Sequence, residues 1–297
     1  MLSVLEINNE NRFLCLYRGF LRICEDKEII TDLPLDMLMA VIVTGHGISF
    51  SEGILTELAK RNIPVVFCGS NYHPVGILNS IEGNCRQTEI MLKQINMTVP
   101  FKKNIWKIII EQKIKNQAKV LEKFGINADD LKQIANRVLS GDTTNCESAA
   151  SRIYFPKLFG KNFLRSNLEI AINSFLNYGY AIIRAALARF IVASGLLPAF
   201  GIHHRNMLNA FCLVDDIMEA YRPVVDFKVK ELISGKANLD IKLGVEEKKE
   251  LAGLLEKSVK TKEGISPLRI CMQKTIWSFV DSLKTKKPII IFEKNII

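Results

Sequence analysis

The segment NLEIAINSFLNYGYAIIRAALARFIVASG, residues 167–195, decides the fold. Its apolar side chains recur at spacings of three and four residues, which predicts one long helix. The run from Tyr180 to Phe200 has nearly membrane length, but Arg184 and Arg189 interrupt it. Each arginine would cost about 2.5–3.5 kcal/mol at the centre of a bilayer. We therefore expect a helix that is buried inside the protein, with other helices packed around it.

The rest of the chain divides into two parts with different periodicity. Helical spacing continues on both sides of this segment, from about residue 86 to about 284. The first 80 or so residues instead show short β-prone runs around one short helix, SEGILTELAKRN. We predict an α+β fold with a small, mostly β N-terminal domain, a linker and a large all-α domain, at residues 1–78, 79–88 and 89–297.

Charge and cysteine content narrow the class of protein. The 297 residues carry 40 Lys and Arg against 31 Asp and Glu, a net charge of +9, which favours a polyanionic partner such as nucleic acid. Seven scattered cysteines without a CxxC pair disfavour both a disulfide framework and a zinc knuckle, and fit a reducing cytoplasm. The N-terminus lacks the features of a signal peptide, and we expect no membrane association.

A glycine-rich stretch, TGHGISF at residues 44–50, invites comparison with nucleotide-binding loops. Phe50 replaces the third glycine of the GxGxxG pattern, and the next strand ends in CGS without an acidic residue for a ribose. We therefore interpret these glycines as turn residues.

The most unusual stretch is GIHHRNMLNAFCLVDDIMEAYRPVVD, residues 201–226. A helix from about Asn209 to Arg222 would place Asp215, Asp216 and Glu219 on one arc about 100° wide, with apolar residues nearly everywhere else. Buried carboxylates require cations, which here would be arginines, a metal or both. The alternative is that the arc is a narrow solvent-facing stripe.

Two histidines precede this acidic helix. His203 and His204 follow the sequence PAFGI, at the expected turn into the helix. One imidazole combined with carboxylates makes a mixed nitrogen and oxygen site, which suits Mg²⁺ or Mn²⁺ better than zinc. The alternative is that this loop pair is incidental and binds nothing.

Two further helices carry candidate polar residues. In TTNCESAASRIYF, residues 143–155, Glu147, Ser151 and Tyr154 share one helix face, although Thr144-x-x-Glu147 also fits a capping box in which Glu147 only caps the helix. On the long helix a polar stripe could support a metal site, contact phosphate or simply hydrogen-bond neighbouring helices. The stripe consists of Asn173, Asn177, Tyr180 and Arg184.

Three segments carry a resemblance to a known family when taken in order and at their separations. They are CESAASRIYFPKLFG, NYGYAIIRAALARFIVASGLLPAFGIHHRN and NAFCLVDDIMEAYRPVVD, which lie between residues 146 and 226. Together they resemble the integrase of CRISPR spacer acquisition, the first of the CRISPR-associated (Cas) proteins, in the form found in type II systems. The order of a β domain and a long helical domain extends the agreement to most of the chain.

The resemblance implies a set of site residues. The family's catalytic metal ligands fall on Glu147, His204 and Glu219, which would hold Mg²⁺ or Mn²⁺ in the helical domain. Ala220 stands where proline often follows the last ligand, and Ser148 where glycine is common, but neither change removes a ligand. The resemblance further implies supporting residues, with His203 as a competitor for the histidine role: Asp216, Tyr154, Asn173, Asn177 and His203.

The resemblance also implies an activity and partners. The family joins the 3′-hydroxyl ends of short foreign DNA, the spacers, to a repeat array by phosphodiester transesterification. Its members form homodimers through the β domain and assemble with a small second Cas protein, so we expect these partners, possible further type II Cas proteins and a prokaryotic cytoplasmic location. Candidate DNA-binding residues, of which Arg222 could instead pair with the acidic cluster, are Arg165, Arg184, Arg205, Arg222, Lys102, Lys103 and Lys107.

Two other functions stay open on the same residues. A metal-dependent DNA endonuclease would use the same ligands with water as the nucleophile. A non-catalytic DNA-binding scaffold would use only the basic surface and would show no dependence on divalent cations.

Overall fold

A computed structural model describes residues 3–69, 74–78, 80–81, 87–167, 170–235 and 242–297. Within these residues, the N-terminal part contains eight strands and the helix α1, Glu52–Lys60, whose first turn is capped by the Ser51 hydroxyl. The strands are β1 Ser3–Ile7, β2 Arg12–Tyr17, β3 Phe20–Glu25, β4 Glu28–Pro34, β5 Leu38–Val43, β6 Ser49–Phe50, β7 Val65–Cys68 and β8 Pro74–Leu78.

These strands form two four-stranded sheets. One has the order β1-β5-β7-β8, with β8 as its antiparallel edge, and the other has the order β4-β3-β2-β6. Along β5 the side chains alternate, so that Val41 and Val43 pack in the small N-terminal core while Ala40 and Ile42 pack in the large helical core. The first sheet is therefore a layer shared by both cores.

The rest of the chain is mainly helical. The expected α+β architecture is confirmed, with one addition to the helical part, a hairpin of β9 Ser258–Thr261 and β10 Gly264–Pro267. The helices are α2 Gln87–Ile95, α3 Val99–Lys123, α4 Asp129–Asn136, α5 Cys146–Phe159, α6 Ala171–Ala193, α7 Cys212–Met218, α8 Arg222–Ile233, α9 Val245–Ala252 and α10 Leu268–Thr285.

Helix α6 lies at the centre of this core, as its periodicity predicts. It is long and apolar enough to cross a membrane, but 89% of its most apolar window is buried inside the protein. Packing therefore accounts for its hydrophobicity. Most of the linker expected at residues 79–88 lies outside the described residues, and α2 already begins at Gln87 within that range.

The acidic helix predicted from Asn209 to Arg222 is interrupted. Helix α7 ends at Met218 and α8 begins at Arg222, with Pro223 in its first turn. Proline has no amide hydrogen, and its ring clashes with the carbonyl four residues earlier, here that of Glu219. The break therefore lies at Glu219, and the side chain of this residue extends from the short segment between α7 and α8.

Candidate active site

A buried lysine brings two of the expected ligands together. Lys113 lies in the middle of α3 and is 7% exposed. Its Nζ donates to Glu147 Oε1 on α5 and to Glu219 Oε2 at the α7–α8 break, at 2.6 Å in each case. Carboxylates that lie far apart in the sequence thus converge on a single cation.

Glu219 is held in its ionised form by two cations. Its second oxygen, Oε1, accepts from Arg222 Nε at 2.7 Å. Burial alone would raise the pKa of Glu219, but the charges of Arg222 and Lys113 outweigh it and lower the pKa to about 2. Burial would likewise lower the pKa of Lys113, yet Glu219 and Glu147 raise it above its ordinary value. The possibility that Arg222 pairs with the acidic cluster is therefore confirmed.

Helix α5 begins in a way that leaves the Glu147 carboxylate free for this contact. The backbone amides of Cys146 and Glu147 donate to the Asp142 carboxylate at 2.8 and 3.0 Å. Asp142 therefore caps the helix in place of the capping box that Thr144-x-x-Glu147 suggested. Asn145, just before the helix, adopts the left-handed conformation that this tight entry requires.

One carboxylate binds the backbone of the histidine loop, residues 201–206. Asp216 on α7 is fully buried and accepts from the backbone amides of Ile202, His203 and His204 at 2.5, 3.0 and 3.1 Å. Its Oδ1 also lies 2.6 Å from Nδ1 of His204. Because the carboxylate is an acceptor, Nδ1 carries the proton and the lone pair of a neutral ring lies on Nε2. This hydrogen bond is the main cause that raises the pKa of His204.

The two histidines have different environments. The ring of His203 stacks on Trp106 of α3, with centroids 4.2 Å apart and planes 4° apart. His204 meets the same indole edge-on at 5.9 Å and keeps its contact with Asp216. This difference favours His204 over His203 as a ligand, because only the orientation of His204 is fixed by a carboxylate.

A cavity of about 350 Å³ adjoins these residues. Its wall carries three arginines in different environments. Arg184 pairs with Asp215 at 2.7 Å, whereas Arg165 donates to the neutral amides of Asn173 and Asn177 at 3.1 and 2.6 Å. The lining residues are Arg165, Asn177, Tyr180, Ala181, Arg184, His204, Asn206, Asn209, Asp215, Met218, Glu219 and Arg222. The polar stripe of α6 therefore hydrogen-bonds its neighbours, and its members Asn177, Tyr180 and Arg184 also line this cavity.

Each residue of the acidic arc has its own partners. Arg184 neutralises Asp215, the histidine loop surrounds Asp216, and Lys113 with Arg222 neutralises Glu219. With Asp216 at 0% and Glu219 at 6% exposure, the interpretation as a solvent-facing stripe is wrong.

Tyr154 lies in a separate buried cluster. Its hydroxyl donates to Asp226 of α8 at 3.0 Å, and the hydroxyl of Tyr180 donates to the same carboxylate at 2.5 Å. Burial is the main cause that raises the pKa of Asp226, to about 6, against the lowering effect of the two tyrosines. Tyr180 also reaches the cavity, so this cluster supports the cavity wall from behind.

The remaining basic candidates lie near the start of α3 and on the histidine loop. Partial burial and, less strongly, the positive charge of Arg205 lower the pKa of Lys102. Lys107 Nζ lies 3.6 Å from a carboxylate oxygen of Glu111, and Lys103 is exposed. Their contact with DNA stays a prediction.

The donor set fits a divalent cation, although the side chains are not closed around one. Among the described residues, no three His, Cys, Asp or Glu side chains form a metal-binding group as they stand. Glu147 and Glu219 nevertheless already surround the Lys113 ammonium, and His204 lines the same cavity as Glu219. Two carboxylates and an imidazole nitrogen are suitable ligands for Mg²⁺ or Mn²⁺.

Comparison with known proteins identifies the family of this chain. A model of the family described as CRISPR associated protein Cas1 matches residues 5–262. The chain belongs to the Cas1 family. A curated relative, the CRISPR-associated endonuclease Cas1 of Neisseria meningitidis serogroup C (strain 8013), is 36% identical over 237 residues, which cover 79% of this chain and 77% of the relative.

Solved structures extend the Cas1 likeness to nearly the whole fold. A casposase bound to its integration product superposes with a TM-score of 0.81 over 99% of this chain and 94% of that chain, at 18% identity. A chain of a Cas6-RT-Cas1–Cas2 complex gives 0.78 over 99% of this chain and 36% of that chain, also at 18% identity. At this identity the likeness concerns the fold alone.

Sequence reasoning missed two site residues, Lys113 and Asp226. Both had a signal. Lys113 falls three and four residues after Ile110 and Ile109, on the apolar face of its helix, where a lysine needs a buried partner. Asp226 falls four residues after Arg222 in the buried part of α8.

Proposed function

We propose that this protein joins 3′-hydroxyl ends of short DNA to a repeat array by metal-dependent phosphodiester transesterification. Membership of the Cas1 family supports a DNA integrase or nuclease role. The observation that carries the proposal is the convergence of Glu147 and Glu219 on one cation position, beside an arginine-lined cavity that contains His204. That cavity offers both ligands for a metal and positive charge for phosphate.

Each residue has a defined task in this proposal. Glu147, Glu219 and Nε2 of His204 would hold Mg²⁺ or Mn²⁺, which when bound polarises the phosphoryl oxygen and lowers the pKa of the attacking hydroxyl. Asp216 keeps the proton of His204 on Nδ1, so that Nε2 stays available as a ligand. Arg165, whose hydrogen bonds among the described residues go to amide oxygens, would use its charge to bind a phosphate.

The reaction conserves the number of phosphodiester bonds. The incoming 3′-oxygen forms a bond to phosphorus, and the bond from phosphorus to the 3′-oxygen of the repeat breaks. The proton of the attacking hydroxyl ends on that departing oxygen or in solvent. Because one phosphodiester replaces another, the joining step needs no nucleotide cofactor.

The N-terminal sheets suit the expected homodimer. Large apolar side chains on β2, β3 and β4 are exposed, among them Phe13 at 42%, Phe20 at 40% and Ile29 at 56%. We propose that a second copy of the chain covers this surface, since a contiguous exposed apolar patch marks an interface. The Cas2 subunit named in the structural neighbour supports a small second Cas protein as a further partner. A role beside other type II Cas proteins in the cytoplasm belongs to the same proposal.

A strand-joining assay tests this function. The protein, with and without the small partner, is mixed with a labelled short duplex, a supercoiled plasmid that carries a repeat, and Mn²⁺ or EDTA. We expect label in the plasmid only with Mn²⁺, and none from a duplex that ends in 3′-deoxynucleotides.

The other products of this assay identify the alternative functions. Nicked plasmid without incorporated label would indicate that the protein is an endonuclease and not an integrase. Endonuclease is the activity in the name of the Neisseria relative. DNA binding with neither product in any combination would indicate a scaffold.

A further inference from the structure

Lys113 occupies the position between the two glutamates that a metal would need. Its ammonium lies 2.6 Å from one oxygen of each glutamate, and the lysine and Glu219 side chains are 8% and 7% exposed. A buried ammonium is unfavourable unless it is paired, and two buried carboxylates are equally unfavourable without a cation. The three groups therefore stabilise one another in the metal-free protein.

A divalent cation and this ammonium cannot share the position. Mg²⁺ binds carboxylate oxygens at about 2.0–2.1 Å, closer than the ammonium lies now. Two cations between the same oxygens would also repel each other strongly in a buried site. Metal binding at Glu147 and Glu219 therefore requires the ammonium to leave at least one of them.

The same helix offers a second partner for the ammonium. Gln117, one turn after Lys113, is 1% exposed, and its Oε1 has no hydrogen-bond partner among the described residues. Residues four apart on a helix are neighbours, so Gln117 and Lys113 lie on the same face of α3. A buried acceptor without a partner is rare in folded proteins and requires an explanation.

We propose that Lys113 is a resident counter-cation, which holds Glu147 and Glu219 in position until a divalent cation displaces its ammonium toward Gln117 Oε1. The proposal rests on the metal-dependent function given above and adds a positioning residue to it. It also explains why the two glutamates converge although the described side chains form no closed metal group. Lys113 acts through the two glutamates, and it competes with the metal that they bind.

This role predicts opposite effects on two measurements. Lys113→Met keeps the length of the side chain and removes its charge. Without metal the variant should melt at least about 5 °C below the wild type, because two buried carboxylates lose a partner. It should nevertheless bind Mn²⁺ at least about tenfold more tightly, because a competing positive charge has gone. A permanent structural ion pair would lower stability without raising the affinity for metal.

The experiment uses the full-length protein with Mn²⁺ as the probe. Binding is measured by the electron paramagnetic resonance signal of free Mn²⁺, and melting is followed in EDTA and in Mn²⁺. Lys115→Met is the matched control, since Lys115 lies on the same helix and is 49% exposed. It should leave both measurements unchanged. If Lys113→Met does not fold, Lys113→Gln retains a donor for one glutamate, and it should still bind Mn²⁺ more tightly than the wild type.

The outcomes separate this inference from the proposed function. Equal or weaker Mn²⁺ binding by the folded Lys113 variant, while the wild type binds Mn²⁺ and joins DNA, overturns the displacement and leaves the integrase intact. Mn²⁺ binding that is absent, or unchanged by Glu147→Gln, overturns the metal site and both proposals.

A double-mutant cycle tests the second position of the ammonium. Gln117→Leu should weaken Mn²⁺ binding several-fold in the wild-type background, because the displaced ammonium loses its acceptor. The same substitution should have no effect in the Lys113→Met background. Equal effects in both backgrounds would show that Gln117 does not receive the ammonium.

Discussion

Replacement of Asp216 by asparagine should inactivate the site by changing the tautomer of His204. The carboxylate accepts three backbone amides and the Nδ1–H of His204. Asparagine has one acceptor oxygen. If the asparagine oxygen accepts from the amides of Ile202 and His203, the asparagine NH₂ group faces His204. Nδ1 of His204 must then accept a hydrogen bond from that NH₂ group. The ring proton moves to Nε2, and the ligand lone pair is lost.

The size of the effect follows from the lost contacts. Two hydrogen bonds to a charged acceptor are lost, each worth about 1.5–3 kcal/mol, and one weaker neutral bond to Nδ1 replaces them, so the free energy of unfolding should fall by roughly 2–5 kcal/mol. Loss of a carboxylate that orients a metal-binding histidine typically weakens metal binding about 10–100-fold. The pKa of His204 should also fall, because its hydrogen bond to Asp216 is the main cause that raises it.

Nitrogen NMR of labelled histidine measures the tautomer directly, and a Mn²⁺ titration measures the affinity. Asp215→Asn is the matched control, because it removes a neighbouring carboxylate that pairs with Arg184 but accepts none of the hydrogen bonds that Ile202, His203 and His204 donate to Asp216. It should preserve the Nδ1–H tautomer. An Asp216→Asn protein that retains this tautomer and binds Mn²⁺ within twofold of the wild type would refute the reasoning.

Three further predictions concern other parts of the site. Glu147→Gln should lower strand joining at least about 100-fold while DNA binding on a gel stays near wild type, since one ligand is lost and the basic surface is not. Burial raises the pKa of Asp226 from 3.8 to about 6, so the folded protein favours the protonated carboxyl. The stability that this protonated carboxyl contributes is full below about pH 4 and is lost as the pH rises through 6. Chemical denaturation at several pH values should show a loss of roughly 3 kcal/mol, and Asp226→Asn should abolish this pH dependence. Gly201→Ala should disrupt the histidine loop, because the new Cβ would lie 2.5 Å from the His204 carbonyl oxygen and 2.8 Å from Asp216 Oδ2; a smaller Mn²⁺-induced shift in melting temperature would show this, and an unchanged shift would contradict it.

The sequence predicts the structure correctly where one local pattern determines the secondary structure and the burial of a segment. The periodicity of α6 is enough to place it in the core, since nearly every face is apolar. The position of Glu219 required a different rule, because the apolar pattern runs unbroken across Pro223 and the proline, not the pattern, ends the helix. Pro223 by itself predicts a helix break four residues earlier, at Glu219.

Ion pairs between residues far apart in the sequence could not be predicted from the sequence. Lys113 and Glu219 are 106 residues apart, and nothing local to either residue says which carboxylate meets which cation. Composition predicts only that buried carboxylates need cations, and the fold decides the assignment. Sequence motifs could therefore name Glu147 as a candidate, but they could not show that a lysine lies beside it.

The acidic arc carries its charges in a core because each carboxylate has a different kind of partner. Arg184 neutralises Asp215 permanently, and the backbone amides around Asp216 cannot be exchanged without unfolding the loop. Glu219 differs, because one of its two cations is a flexible lysine that a stronger cation can replace. Arg222 would hold Glu219 in place during that exchange. The arc can thus remain folded without metal and still offer one carboxylate to it, and this combination is what the Lys113 and Asp216 variants test separately.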